Sequence, residues 1–279
     1  MAELNLDYYK LAWARRAEIM TEIMASETSL SRVLARFDEF EVRHKMWEQD
    51  GHVSYEELPR SDPISRLEEP VKAVSCGVPI LAFPFSTTNF GLLISSFAQD
   101  CDTVVELGSG YGRRLFETWL AGGPGEARYI GIEPAASGRD LAARLAALEP
   151  AMKFISVPGD HSDFDPANLG GRRTLFVTCF SLMYVPVVTM DLFRRIAGIP
   201  GEVLCLFIEP FGFQLFSADE RAKMQLGMCS IDKTNYNFYP TLQQASAEGL
   251  FDTLFVGRDL FSLNGDFRSL GSIIVAAKS

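Results

Sequence analysis

From residue 101 to residue 277 short apolar runs alternate with amphipathic stretches, and that alternation predicts a parallel α/β sheet. Val104, Val105 and Leu107 form a run rich in β-branched residues, suited to a strand buried on both faces. Comparable runs occur at Tyr129–Glu133, Met152–Asp160, Thr174–Cys179, Gly201–Glu209, Phe251–Val256 and Leu270–Ala277. Between them, Arg113–Leu120, the alanine-rich Ser137–Leu148 and Thr241–Gly249 read as helices. Strands separated by helices imply right-handed crossovers and helices packed on the sheet.

The N-terminal third has a different pattern. Residues 1–60 read as helical: Leu6, Tyr9, Leu11 and Trp13 give an apolar face that continues through Ile19, Ile23 and Met24. Ser29 or Ser31 is placed to cap a second helix with Leu34, Phe37 and Phe40 inward, and Arg43, His44, Lys45 and Glu48 read as its solvated end. Gly51, Pro59, Pro63 and Pro70 mark a loop, and Val78–Phe85 is apolar but interrupted by two prolines, an edge segment or an extended lid. Thr87 and Thr88 precede a helix over Asn89–Gln99 with Phe90, Leu93, Ile94 and Phe97 on one side. The expected organisation is a helical N-terminal extension over 1–99 and an α/β core over 100–279.

The first strand of the core runs directly into a glycine turn and a helix. Glycine permits a tight turn and close approach of backbone to a ligand, and a helix N-terminus offers free N–H groups. Gly108, Gly110 and Gly112 alternate, and Glu106 stands two residues before the first. The dinucleotide-binding pattern requires a further glycine where Arg113 stands, so that reading fails. Glu133 and Asp160 follow at equal spacing, each at the end of a later strand.

This Glu-x-Gly-x-Gly-x-Gly arrangement resembles motif I of the class I S-adenosylmethionine (SAM) methyltransferases. The resemblance covers about 100–277 and is clear in motif I and the two following acids, looser beyond. It implies a seven-stranded, mostly parallel Rossmann-like sheet whose last strand is antiparallel, and SAM as the bound group. It places Glu106 near the ammonium of SAM, and Gly108, Gly110 and Gly112 under its methionine and ribose. It gives Glu133 to the ribose hydroxyls and Asp160 to the adenine amino group, with His161 and Phe180 as cofactor neighbours. A carboxylate facing an ammonium is favourable, whereas a diphosphate there would be repelled.

Composition narrows the partners. A formal net charge of −10 argues against a nucleic-acid partner, which requires a basic surface. The five cysteines show no CxxC spacing, and with three histidines there is no metal-ligand cluster, so no metal is expected. Scattered thiols suit a reducing cytoplasm. No stretch reaches the roughly 18–20 apolar residues that span a bilayer. Most of the 21 phenylalanines are expected in the core.

The loops Phe180–Tyr184 and Pro210–Gln214 follow the fourth and fifth strands and are expected to border the sulfonium. Phe180, Tyr184, Phe211 and Phe213 are candidate aromatic faces for a cation. Tyr184 and Asn237 are the candidate catalytic residues, as groups able to orient an acceptor. No Asp/Asn-Pro-Pro-Tyr tetrad and no Pro-Cys pair occurs, and no histidine is placed as a base for a phenol. The expected activity is therefore methyl transfer to a small molecule, an amine or another low-pKa nucleophile, in specialised metabolism. One alternative keeps SAM but has its own amino group attack its γ-carbon, giving azetidine-2-carboxylate and methylthioadenosine. A second is a non-catalytic methyltransferase-like subunit. Tyr8, Tyr9, Trp13, Phe83 and Phe85 are expected in a lid or substrate wall, against the competing reading of a packed extension or homodimer contact.

Overall fold

The computed structural model describes residues 6–49, 51–57, 74–75, 78–79, 87–215, 220, 222–223, 225–227, 234–263 and 266–279. Helices α1 (Leu6–Met24) and α2 (Leu30–Arg43) are followed by a hairpin of β1 (His44–Gln49) and β2 (His52–Glu57). Apolar spacing accounts for the helices: Ala12, Ile19 and Met20 of α1 and Leu30, Val33 and Phe37 of α2 are buried. The hairpin corrects the expectation of helix and solvated loop over 44–57. Gln49 pairs with His52, and Gly51 takes φ 74, a left-handed conformation that suits glycine. The charges at 43–48 obscured a short alternation in which Val53 and Tyr55 point inward between exposed neighbours. In the segment 58–86, a two-residue ladder joins Val74–Ser75 to Val78–Pro79. The expected lid residues Phe83 and Phe85 lie outside the described residues.

Helix α3 (Thr87–Ala98) leads into the sheet. Its strands are β3 (Thr103–Leu107), β4 (Arg128–Ile132), β5 (Lys153–Val157), β6 (Arg173–Cys179), β7 (Glu202–Glu209), β8 (Phe251–Leu263) and β9 (Asp266–Lys278). Helices α4 (Arg113–Leu120), α5 (Ala136–Ala146), α6 (Met190–Ala197), α7 (Gly212–Leu215) and α8 (Phe238–Ala247) connect them. The sheet order is β8-β9-β7-β6-β3-β4-β5. Neighbours from β7 to β5 are parallel, and β9 runs antiparallel to both β7 and β8. The seven-stranded, mostly parallel sheet expected from sequence is present, with the last strand inserted beside β7 rather than at the edge.

Every residue of β3 is buried. Consecutive side chains leave a strand on opposite faces, so Val104 joins the core beneath α1 to α5 and Val105 joins the core beneath α6 and α8. Phenylalanine fills both: Phe37, Phe90 and Phe116 on one side, Phe176, Phe193, Phe207 and Phe238 on the other. Chain order runs outward from β3 through β4 to β5, then restarts on the other flank with β6 and β7. This reversal opens a crevice at the carboxyl ends of β3 and β6.

Across that crevice α1 and α2 are fastened by charge as well as by apolar contact. Arg113, the first residue of α4, donates to Asp38, to Glu41 at 3.3 Å and to Glu117 at 2.8 Å. Arg16 of α1 donates to the same Glu41 at 3.2 Å. Removing a partner from a largely buried ion network costs about 3 kcal/mol, because the remaining charges keep their desolvation penalty. Arg113→Ala is expected to lower unfolding stability by about that amount. Amide exchange checks the location: α1 and α2 should exchange faster, and β3, β4 and β6 should keep their protection.

Candidate active site

A cavity of about 360 Å³ lies at the carboxyl ends of β3, β4 and β6, with α1 across its open side. Glu106, Gly108, Gly110, Glu133, Asp160, His161, Phe180 and Tyr184 all line it. Of the residues expected at the site, Gly112, Asn237, Phe211 and Phe213 do not line it.

The three acids differ in environment. Glu106 is 3% exposed, and its Oε2 has no hydrogen-bond partner among the described residues. Burial pushes its carboxyl well above the usual range, reinforced by Glu117, Glu133 and Glu209 and opposed by Arg114. Glu133 accepts from the N–H of Gly110 at 2.9 Å and of Ala135 at 2.8 Å. Burial raises its pKa and those two bonds oppose the rise. Asp160 accepts from the N–H and hydroxyl of Ser162 at 2.7 and 2.6 Å. Burial raises its pKa, but these bonds with nearby His161 outweigh that and leave it lowered. Burial also lowers the pKa of His161, against the pull of Asp160 and Asp163.

The glycine turn explains itself at two positions. Gly108 takes φ 72, and a Cβ there would stand 2.6 Å from Cβ of Ser181. The loops after β3 and β6 approach so closely that only glycine fits, and Ser181 Oγ donates to the carbonyl of Leu107 at 2.8 Å. Gly110 takes φ 55, and a Cβ there would meet the Trp13 indole at 2.5 Å. A side chain at Gly110 would therefore meet α1. Gly112, at φ 83, turns behind the loop against Phe116 and Phe154 and does not line the cavity.

The turn after β6 forms the opposite wall. Phe180 adopts φ 52, a left-handed conformation that costs energy for a residue with a Cβ. Its N–H donates to the carbonyl of Ile208 at 2.9 Å, and its ring meets Phe90 edge-on at 5.8 Å. Glu209 holds the residues that follow. Its Oε1 accepts from the N–H of Ser181 and of Leu182, each at 3.0 Å, and its Oε2 from that of Met183 at 3.1 Å. Sequence analysis missed Glu209, although it ends a strand as Glu106 and Glu133 do. Beyond it, Tyr184 is 45% exposed at the cavity mouth and meets Tyr9 of α1 edge to face at 5.5 Å.

Asn237 is elsewhere. Its amide accepts from the N–H of Val188 at 2.9 Å and donates to the Val188 carbonyl at 2.8 Å and to Thr241 Oγ1 at 3.1 Å. It pins the start of α8 to the loop before α6, and its polar atoms are used there. Phe211 and Phe213, expected beside the sulfonium, are buried away from the cavity, with Phe211 stacked on Phe238 at 5.1 Å. The loop after β7 turns back into the core, a direction that strand order alone does not give. Among the described residues, no three or more His, Cys, Asp or Glu are grouped to hold a metal ion. Nor is any helix among them long and apolar enough to cross a membrane.

Burial raises the Glu209 pKa from 4.5 to about 7, against the three N–H bonds. Its proton is held more tightly in the fold than in the unfolded chain. The stability it contributes is fully present below about pH 4.5 and is lost as pH rises through about 7. Glu209→Gln removes this titration. Between pH 5 and 8 the wild type should lose about 3 kcal/mol of unfolding stability relative to the variant. Urea denaturation of both proteins across that range measures it, and parallel pH profiles would refute the assignment.

No family model and no curated protein matches the chain. Solved structures do resemble it. A SAM-dependent methyltransferase from Methanosarcina mazei is 16% identical over 67% of this chain and 96% of its own, with a TM-score of 0.51. The CcbJ methyltransferase from Streptomyces caelestis is 16% identical over 77% of this chain and 95% of its own, with a TM-score of 0.47. A geranyl diphosphate C-methyltransferase from Streptomyces coelicolor, solved with Mg2+, geranyl diphosphate and S-adenosyl-L-homocysteine, is 16% identical over 68% and 77%, with a TM-score of 0.48. Strand order, the single reversed strand and the first of these likenesses agree: the chain has the fold of the class I SAM-dependent methyltransferases.

Proposed function

We propose that the protein binds SAM in this cavity and transfers its methyl group to a small-molecule acceptor. The observation that carries the proposal is Glu106. A buried carboxylate oxygen without a partner costs roughly 1–3 kcal/mol and demands a cation or donor. The ammonium of SAM is such a group, and Glu106 stands beside the glycine turn that suits its amino-acid end. Glu133 has spent one lone pair of each oxygen on backbone N–H groups. The other two are free to accept from a ribose. Asp160 lies at the next strand end for the adenine side.

SAM supplies a methyl group on a positively charged sulfur, which is electrophilic without further activation. The protein's part is to orient the partners, hold charge and exclude water. Trp13, Tyr9 and Tyr184 close the open side of the cavity, and their ring faces favour positive charge. A neutral nucleophile needs no base for the displacement itself, so the reaction does not depend on a basic side chain. The cavity volume, at the low end of the roughly 300–1,000 Å³ usual for ligand pockets, supports a small acceptor. The same smallness also suits the acceptor-free cyclisation of SAM to azetidine-2-carboxylate.

Calorimetric titration with SAM and with S-adenosylhomocysteine tests the donor site. Glu106→Gln and Glu133→Ala should each weaken both ligands by roughly 1–3 kcal/mol, about 5- to 150-fold. Burial raises the Glu106 pKa and an adjacent ammonium would lower it, so SAM binding should be linked to proton release, and the measured enthalpy should vary with the ionisation enthalpy of the buffer. Unchanged affinity in both variants would sink the proposal. Mass spectrometry after incubation with SAM alone separates the two reactions: methylthioadenosine with a cyclic amino acid identifies cyclisation, and intact SAM supports transfer to a second substrate.

A further inference from the structure

We propose that the acceptor is a small amine, seated at the cavity mouth against the aromatic surface that Tyr9 and Tyr184 form together. The inference rests on the donor-site reading above and narrows it, because the sequence leaves an amine and an anionic low-pKa nucleophile equally open. The arrangement of charge around the cavity separates them.

Among the described residues, the basic side chains lining the cavity are Arg16, Arg113, Arg114 and His161. Each guanidinium is already committed. Arg16 donates to Glu41 and lies 4.7 Å over the Trp13 ring. Arg113 is shared among Asp38, Glu41 and Glu117. Arg114 donates to Glu117 at 2.6 Å and lies 4.9 Å over Phe90. His161, its pKa lowered by burial, is neutral at neutral pH. Glu41, Glu106, Glu133 and Asp160 line the same space. A carboxylate, phosphate or phenolate entering here would displace an existing ion pair and be repelled by the carboxylates, whereas an amine displaces no pair and meets the carboxylates favourably.

The mouth supplies the complementary surface. Tyr8, Tyr9 and Tyr184 line it, with Tyr8 and Tyr9 in edge contact at 5.5 Å and Tyr9 and Tyr184 at the same distance. The acceptor arrives as an ammonium and gives one proton to water; the freed lone pair then forms the N–C bond as the C–S bond breaks, and sulfur keeps the bonding pair and becomes a neutral thioether. Positive charge moves from sulfur to nitrogen, and the new ammonium then gives its proton to water. Ring faces at the mouth stabilise the charge as it arrives on nitrogen, so their attraction is greater in the transition state than with the neutral amine bound. A phenolate or thiolate acceptor would instead annihilate charge there and gain nothing from the rings.

The test uses the full chain saturated with S-adenosylhomocysteine, titrated calorimetrically with benzylamine and with benzoate, which share a ring and differ in charge. Benzylamine should bind at least about tenfold more tightly, and with SAM in place of the product it should yield N-methylbenzylamine by mass spectrometry. Tyr9→Leu and Tyr184→Leu should each weaken benzylamine about fivefold, and Tyr9→Phe and Tyr184→Phe, which keep the ring, should restore it. Benzoate binding as tightly as benzylamine, no binding of benzylamine, or leucine variants equal to wild type would each overturn the proposal. Failure of the wild type to take up S-adenosylhomocysteine is a different result and refutes the donor site itself.

Discussion

The N–H of Gly110 donates to Glu133, and the N–H groups of Ser181, Leu182 and Met183 donate to Glu209. In each case a carboxylate at the end of one strand holds the loop that follows another. β4 thus fixes the glycine turn after β3, and β7 fixes the turn after β6. Both loops flank the point where the sheet reverses its order, the one place where the crossovers leave a crevice. Buried carboxylates are costly, and here the cost is offset by backbone donors that loops otherwise leave unpaired. Glu106 lacks that compensation at Oε2, which sets it apart from the other two.

The N-terminal helices complete the site from outside the sheet. Trp13 sits on Gly110 and Tyr9 on Tyr184, and the carboxylates Asp38 and Glu41 hold Arg113 at the start of α4. The same α4 follows the glycine turn directly. Docking of α1 and α2 and the shape of the cavity are therefore coupled through one arginine and one indole. A change that loosens the helices also alters the loop beneath them.

The core was the more legible part of the chain. Seven apolar runs, a glycine turn and three strand-end acids are local features, and each predicted strand forms, the first five close to their expected limits and the last two longer, with β8 reaching Leu263 and β9 starting at Asp266. The hairpin over 44–57 was not legible, since its strands are short, half-exposed and highly charged, and only the Asp-Gly turn carried a signal. Within the site, Glu106, Glu133 and Asp160 were picked out by the likeness to motif I and Phe180 by its place after a strand, and all four line the cavity. Asn237 was chosen from position alone and is used to anchor α8. Phe211 and Phe213 likewise followed a strand but turned inward. Position after a strand brings a residue to the right level of the sheet without giving the direction of its side chain.

By itself the sequence determined the order of strands and helices, the glycine turn and the acids at its flanks, because periodicity and backbone permissiveness act over a few residues. Tertiary structure decided which of these groups meet. Glu209 became the clamp of the turn after β6 only because β7 lies beside β6, and Trp13 reached Gly110 only because α1 crosses the crevice. The pairing of Arg16 with Glu41 and of Arg113 with Asp38 and Glu41 depends on contacts between residues far apart in the chain. Charge balance at a site is a sum over neighbours in space, and no local pattern in the sequence contains it.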